Sequence, residues 1–512
     1  MERENIYALS DNEMEGGHMK ILLKNAKIAT FNEKNEILEN ADLLIKGRRI
    51  EKIGHNLSLS ADKVIQCDGK LVMPGLVNSH LHSDENMFRG LFDNLPLEPW
   101  MLYSCPPLMY GPFSTRLIYL RTMVGAMEMV RKGITCFQDD VSECPKGTFE
   151  GYDSVFQAHE DLGLRGNIAL NMGNRKYLDK LPYTREFIPE AYQKQLSEAP
   201  DQEEMFSLYD AIIKKWNNKN GMKVVFSTSA PQRCTDEYLM RALDYAEKYD
   251  LPMHTHILET RMQRVTGTEF YGKSIVQHIK DLGFLTDRLT IIHGVWMDDA
   301  DMEAIGKAGA SVAHNPVSNL KLGSGIMPLR HQLDHGVNVV LGTDGMSSND
   351  GYSIFETLKF TALLQKVMDP DYKTWRSAKD ILDLAIKTPA HSLRREGEIG
   401  GLTEGHDADL IILNLRSEAF TPLNDIYKHL VYCEDGSDVE TVISGGKIVM
   451  EQGRLLHVDE QALLTELADM TEEFQERFKE TVKENDKLMP YIDGIYNKCI
   501  NACREYTCNL FV

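Results

Sequence analysis

Between residues 71 and 345 the chain repeats one unit eight times: a short, almost wholly apolar run followed by a helix-length amphipathic stretch. The runs are LVMPGLVNSHLH (71–82), GITCFQDD (133–140), RGNIALNMG (165–173) and MKVVFSTSAP (222–231). PMHTHILET (252–260), LTIIHGVWM (289–297), ASVAHNP (310–316) and VNVVLGTDG (337–345) complete the set. Strands that are apolar throughout are buried on both faces, as in a parallel sheet covered by helices. Eight such units predict an α/β fold of the (β/α)8 TIM-like type, here with some long loops. At 512 residues the chain can hold that barrel, over 76–399, and an accessory layer.

The accessory layer is legible at both ends. Residues 20–75 read as short strands, ILLKNAKIATF, ADLLIKGRRIEKIG and KVIQC, punctuated by Gly and Asn. The same texture returns over 400–457, in DADLIILNL and VETVISGGKIVMEQGRLL. The two pieces predict one small composite β-sandwich. Residues 1–19 read as a loose leader and 458–512 as a helical extension, whose charged helix over 458–490 is expected on the surface or at a subunit contact.

Charge and cysteines narrow the setting. With 56 basic and 77 acidic side chains the net charge is −21, which argues against a general nucleic-acid or anionic-membrane surface. No apolar run approaches a bilayer span, and the polar, acidic start is no secretory signal. Nine scattered cysteines predict free thiols and a cytoplasmic location. Cys499, Cys503 and Cys508 cluster, but without a CxxC or a nearby histidine they read as packing or surface thiols.

The chemistry-bearing residues end the strands, where barrel enzymes place their sites. His80 and His82 are two apart on the first strand, so their rings face one side. His254 and His256 repeat the spacing on the fifth, with Glu259 three residues on; His293 ends the sixth and Asp344 the eighth. One strand histidine alone is more often a satisfied core group than a ligand. Imidazoles and a carboxylate converging from several strands can hold Zn2+ or a similar divalent ion. His254, one layer deeper than His256, reads as structural or as a support to a ligand.

The motifs PGLVNSHLH, HTHILET, IIHGVW, AHNPVSNLKLGSGIMPL, LGTDGMSSND and GGLTEGHDADLIIL, in this order, resemble those of the amidohydrolase superfamily. They are most similar to its branch of adenosylhomocysteine/methylthioadenosine deaminases, triazine hydrolases (atrazine chlorohydrolase-like) and nucleobase aminohydrolases. The resemblance runs from about residue 20 to 455. It implies one divalent metal per chain, Zn2+ ahead of Fe2+ or Mn2+, held by His80, His82, His256 and Asp344. Glu259 is implied as proton shuttle, His293 as neighbour of water and substrate, and Asp344 also as a second base. Ser318 and Asn319 lie in a loop that lines the pocket in this family; a turn role is the plain alternative. The resemblance also implies pairing of barrels into a homodimer or higher homo-oligomer.

The branch's sugar-reading residues are absent here. By alignment on Trp100, a carboxylate position falls at Met109; a histidine position falls at Ser229 and an arginine position at Leu170, with Arg175 close by. Gln232 and Arg233 are candidate replacements, while Trp100 and Phe88 read equally as loop packing or ligand stacking. Asp139 and Asp140 read as supporting acceptors or as turn residues. The expected activity is therefore hydrolytic deamination of a small aminated heterocycle: a purine or pyrimidine base, a pterin or a triazine. A nucleoside deaminase, or a triazine-type hydrolase expelling chloride or alkylamine, is the alternative. A two-metal cyclic-amide hydrolase is disfavoured because the fourth strand has only Lys223, at its start. A non-catalytic barrel is disfavoured because no implied ligand is lost.

Overall fold

A computed structural model describes residues 19–108, 112–143 and 146–503. Residues 1–18 of the expected leader, Met109, Cys144 and Cys508 lie outside the described residues. Eight parallel strands follow one another in sequence order in a single sheet. They are Leu76–Leu81, Ile134–Val141, Arg165–Asn171, Met222–Ser227, Met253–Ile257, Leu289–His293, Ser311–His314 and Asn338–Leu341. The first and last meet beyond the ladder: the backbone amides of Thr343 and Asp344 both donate to the His80 carbonyl, at 3.1 and 3.0 Å. The Asn78 side chain reinforces the seam, donating to Thr343 Oγ1 at 2.7 Å and accepting from Thr343 N at 3.1 Å. The result is the expected barrel, with helices such as Thr115–Arg131 and Phe149–Leu162 packed outside it.

The run 71–82, read as one strand, is two. Lys70–Pro74 belongs to the accessory sheet and Leu76–Leu81 to the barrel. The break falls at Gly75, where a Cβ would lie 2.1 Å from Thr135 Oγ1, so only glycine lets the chain pass between the layers here. The accessory strands form one nine-stranded mixed sheet in which Leu410–Asn414 pairs antiparallel with Lys70–Pro74, joining the two flanks. Leu23, Ile45, Leu410, Ile412 and Ile443 share its apolar cluster.

Ionic contacts tie this sheet to the barrel. Arg165, at the start of the third barrel strand, pairs with Asp407 and Asp409, and Arg48 reaches Asp407 at 2.5 Å. Arg395 closes the barrel floor, donating to Asn167 Oδ1 at 3.0 Å, Gly166 O at 3.0 Å and Gly221 O at 2.7 Å.

The C-terminal extension is two helices, Glu460–Asn485 and Met489–Cys503, and both pack on the catalytic-face loops. Phe474 and Phe478 lie against Phe88, with ring centroids 5.7 and 5.6 Å apart. Asn485 bonds both backbone groups of Leu108. Ile492, Ile495 and Cys499 bury Leu102, Met262 and Val265. Among the described residues no helix is long and apolar enough to cross a membrane, and Cys67, Cys136, Cys234, Cys433 and Cys499 are free thiols.

Candidate metal centre and catalytic site

The strand ends converge. His80 and His82 share one side of the first strand, and His256 projects toward them from the fifth. His256 Nε2 stands 3.3 Å from His82 Nε2; Asp344 Oδ1 stands 3.4 Å from His80 Nε2 and 3.5 Å from His82 Nε2. Four donors bound tetrahedrally at about 2.1 Å are spaced about 3.4 Å corner to corner. The observed spacings match that figure, and His80, His82 and His256 form one potential metal-holding group.

Hydrogen bonding supports the same fit. His82 Nδ1 donates to the Asp140 carbonyl at 2.5 Å and His256 Nδ1 to the Ser229 carbonyl at 2.8 Å. With Nδ1 committed to a carbonyl, each ring turns its Nε2 inward, and the two Nε2 atoms, 3.3 Å apart, can ligate a shared cation when the rings are neutral. His80 Nε2 is buried without a hydrogen bond. Burial disfavours charge on His82, yet Glu85, Asp344, Asp84 and Asp140 lift its pKa to about 10, so the site's field draws positive charge. Burial also opposes ionisation of Asp344, but His80, His293 and His82 hold its carboxyl well below the usual range.

Two backbones are strained here. His293 has φ 75° and Asp344 φ 68°, in the left-handed region that non-glycine residues rarely adopt. Both turn their side chains across the barrel mouth, and bonds fix them there. Asn319 Oδ1 accepts from His293 Nδ1 at 2.9 Å, and Ser318 Oγ donates to Asp344 Oδ2 at 2.6 Å. Ser318 and Asn319, expected to line the substrate pocket, thus spend these groups on positioning His293 and Asp344; only Asn319 Nδ2 is left buried without a partner.

Glu259 is 3% exposed, its Oε2 is 3.4 Å from His293 Nε2, and Ser324 Oγ reaches its Oε1 at 3.4 Å. Burial, with the charges of Asp344 and Glu98 adding to it, raises its pKa well above the carboxylate range. Burial lowers His293 to about 4, so its ring is neutral near pH 7. A carboxyl that can carry a proton therefore faces a neutral imidazole at the edge of the donor cluster, as acid–base work requires.

His254 lies behind this cluster: its Nε2 meets His80 Nδ1 at 3.1 Å and its Nδ1 meets the Gln138 amide at 2.5 Å. Asp139 Oδ1 accepts from Ser83 N at 2.9 Å and Asp140 Oδ2 from Asn171 Nδ2 at 2.8 Å. Lys223 is at the far end of its strand, donating to Arg394 O at 2.6 Å. Trp100 packs with Leu97 and Leu322, and its Nε1 is buried and unpartnered, as is Gln232 Oε1. Arg233 Nη1 donates to Ser229 Oγ at 3.1 Å. Leu170 is buried in the third strand, and Arg175 donates to Cys234 O at 2.6 Å.

Residues 71–449 match the amidohydrolase family model. The chain belongs to the amidohydrolase family. It is 35% identical over 435 residues to the 5-methylthioadenosine/S-adenosylhomocysteine deaminase of Thermococcus kodakarensis, covering 84% of this chain and 94% of that one. It is 32% identical over 462 residues to the 5'-deoxyadenosine deaminase of Methanosarcina mazei, covering 89% and 99%. Among solved structures it is similar to a zinc-bound adenosine deaminase from Xanthomonas campestris, with TM-score 0.79, 23% identity and coverage of 90% and 99%. A zinc complex of atrazine chlorohydrolase from Arthrobacter aurescens gives TM-score 0.79, 23% identity and coverage of 88% and 100%. The family assignment makes this amidohydrolase a metal-dependent hydrolase of carbon–nitrogen bonds.

Glu98 was not singled out by its sequence. In LEPW it looks like an ordinary first-turn acid favouring a helix N-terminus, yet it is 5% exposed. The signal available was its place among the apolar residues Leu97, Pro99, Trp100 and Leu102.

Proposed function

We propose that this amidohydrolase is a one-metal deaminase of aminated N-heterocycles, with His80, His82, His256 and Asp344 holding the ion and Glu259 and His293 flanking the reacting carbon. The observation that carries the reading is the close approach of the donors, three pairs of them at 3.3–3.5 Å, beside a buried Glu259 with a raised pKa. Nitrogen and carboxylate donors at this spacing favour zinc. An ion held there supplies Lewis acidity that brings the ionisation of water toward neutral pH. Glu259 takes one proton from water and delivers it to the ring nitrogen; the second proton, released as the added hydroxyl becomes the carbonyl, goes to the departing amine. His293, with its Nδ1 proton held by Asn319, offers the Nε2 lone pair that orients the water. Water adds to the amidine carbon, the C–N bond breaks, ammonia leaves, and a ring carbonyl remains. The free thiols support work in the cytoplasm.

A nucleoside substrate is the second reading, favoured by the two relatives that act on adenosine-type compounds. Ammonia release from a panel of free bases, pterins, aminotriazines and adenosine-type nucleosides tests both, together with metal analysis. One ion per chain and ammonia from a free heterocycle is the expected result. Two tightly bound ions per chain, or release of chloride or alkylamine but never ammonia, refutes the proposal.

A further inference from the structure

The mouth helix Leu97–Ser104 bridges the ends of the fourth and fifth barrel strands. On the fifth-strand side, Glu98 Oε1 accepts from Thr260 Oγ1 at 2.5 Å, and Thr260 directly follows Glu259. On the fourth-strand side, Met101 Sδ lies 3.1 Å from Arg233 Nη2. Arg233 Nη1 in turn donates to Ser229 Oγ, on the residue whose carbonyl holds His256. Glu98 and Arg233 thus stand on either side of the His256–Glu259 segment.

Glu98 is not fully satisfied where it stands, and half-buried Arg233 keeps donors to spare. Glu98 Oε2 is buried without a hydrogen bond, a costly state for a carboxyl oxygen. A guanidinium has five N–H donors, and a thioether is a weak acceptor for one of them. Among the described residues the two make no direct ion pair, although burial raises the Glu98 pKa and the Arg233 charge acts to lower it. Both charges also act on Glu259, Glu98 raising its pKa and Arg233 lowering it. The two charges act on one another and on Glu259 without a direct ion pair between them.

We propose that Glu98 and Arg233 are specificity-determining residues that read a lactam edge, a ring N–H beside a C=O, on the heterocycle whose amino group is removed. This rests on the deaminase reading above. Glu98 accepts from the ring N–H, and Arg233 donates to the carbonyl oxygen. The groups of the site then meet in complementary pairs: a group that only accepts faces a donor, and a group that only donates faces an acceptor. The adenine ring of adenosine presents only acceptors away from its amino group, so it leaves the Glu98 oxygen unpaired. A site built to pair buried polar groups rejects a ligand that lacks the matching atom far more strongly than one that lacks a methylene.

The test compares guanine with 2-aminopurine, and isocytosine with 2-aminopyrimidine, as substrates of the zinc-replete chain. Adenosine is included as the nucleoside probe. The wild type is expected to favour the oxo-bearing member of each pair by about 100-fold or more in kcat/KM. Glu98→Gln and Arg233→Met are each expected to cut that preference at least tenfold, mainly by raising KM for the oxo-bearing ring. The wild-type comparison needs no variant, so the inference stays refutable even if a substitution impairs folding. Ammonia release with no preference for the oxo-bearing rings overturns this inference and leaves the deaminase reading standing. So does a preference that both variants retain, or an effect of Glu98→Gln confined to adenosine, which would make Glu98 a sugar contact. No ammonia from any member overturns both.

Discussion

Replacing Glu259 with glutamine isolates the acid–base role from every structural one. The two side chains have the same shape, and Ser324 Oγ and His293 Nε2, both 3.4 Å away, can still be met by an amide. Glu259 is outside the donor group His80, His82 and His256, so metal content is expected to stay at that of the wild type. What is lost is a group able to take and return a proton. Such a group contributes about 10²–10⁴ in rate, which is about 2.7–5.4 kcal/mol of barrier. The expected outcome for Glu259→Gln is a fall in kcat of that size with one metal per chain and an unchanged melting temperature. The pH profile adds a second readout. Burial raises the Glu259 pKa, so the active carboxylate form grows as pH rises through that value, giving the wild type an acid limb in kcat/KM. Glutamine does not titrate, and the limb should vanish. A variant within threefold of wild type, or one that keeps the same limb, would refute the shuttle assignment.

Two further outcomes test the frame that holds the site. Gly342→Ala would put a Cβ 2.8 Å from His80 Cβ and 2.9 Å from its carbonyl oxygen, forcing the seam between the first and last strands apart. Overpacking of this kind costs about 1–3 kcal/mol, and metal titration should show weaker binding as His80 shifts; unaltered affinity would contradict the account. Arg165→Met strands the buried Asp409 carboxylate and leaves Asp407 to Arg48, which should destabilise the chain by about 3–5 kcal/mol in urea unfolding at pH 7. Burial opposes ionisation of Asp407, but Arg48 and Arg165 lower its pKa below the unfolded value of about 3.9. Its contribution is therefore complete above that value and is lost as pH falls through the folded one. The gap between wild type and variant should narrow below about pH 4, and a gap that widens would be inconsistent with this pairing.

The barrel was legible because its strands are apolar on both faces and carry their polar residues at one end. Glycine and proline were harder to weigh: the Pro74–Gly75 step that separates sheet from barrel sits inside an unbroken apolar run. His80, His82, His256, Glu259, His293 and Asp344 stood out because histidines and acids at strand ends are unusual in that setting. The groups that fix them did not. Ser318 and Asn319 look the same in sequence whether they face a substrate or a neighbouring side chain, and only the 2.6 and 2.9 Å bonds decide. Glu98 was hidden for the opposite reason, since an acid in a first helical turn needs no further explanation. The charged helix over 458–490, expected on the surface or at a subunit contact, rests one side on the barrel loops, where Phe474 and Phe478 meet Phe88.

Those two helices also set an order of events during synthesis. Asn485 holds Leu108 across a separation of 377 residues, and Leu102 is buried by Ile492 and Ile495. A ribosome adds about 5–20 residues per second, so the mouth helix waits about 20–75 seconds for its cover. Every strand that carries a candidate metal donor leaves the exit tunnel before the cover does. A nascent barrel can therefore present those donors while its mouth is still unfinished.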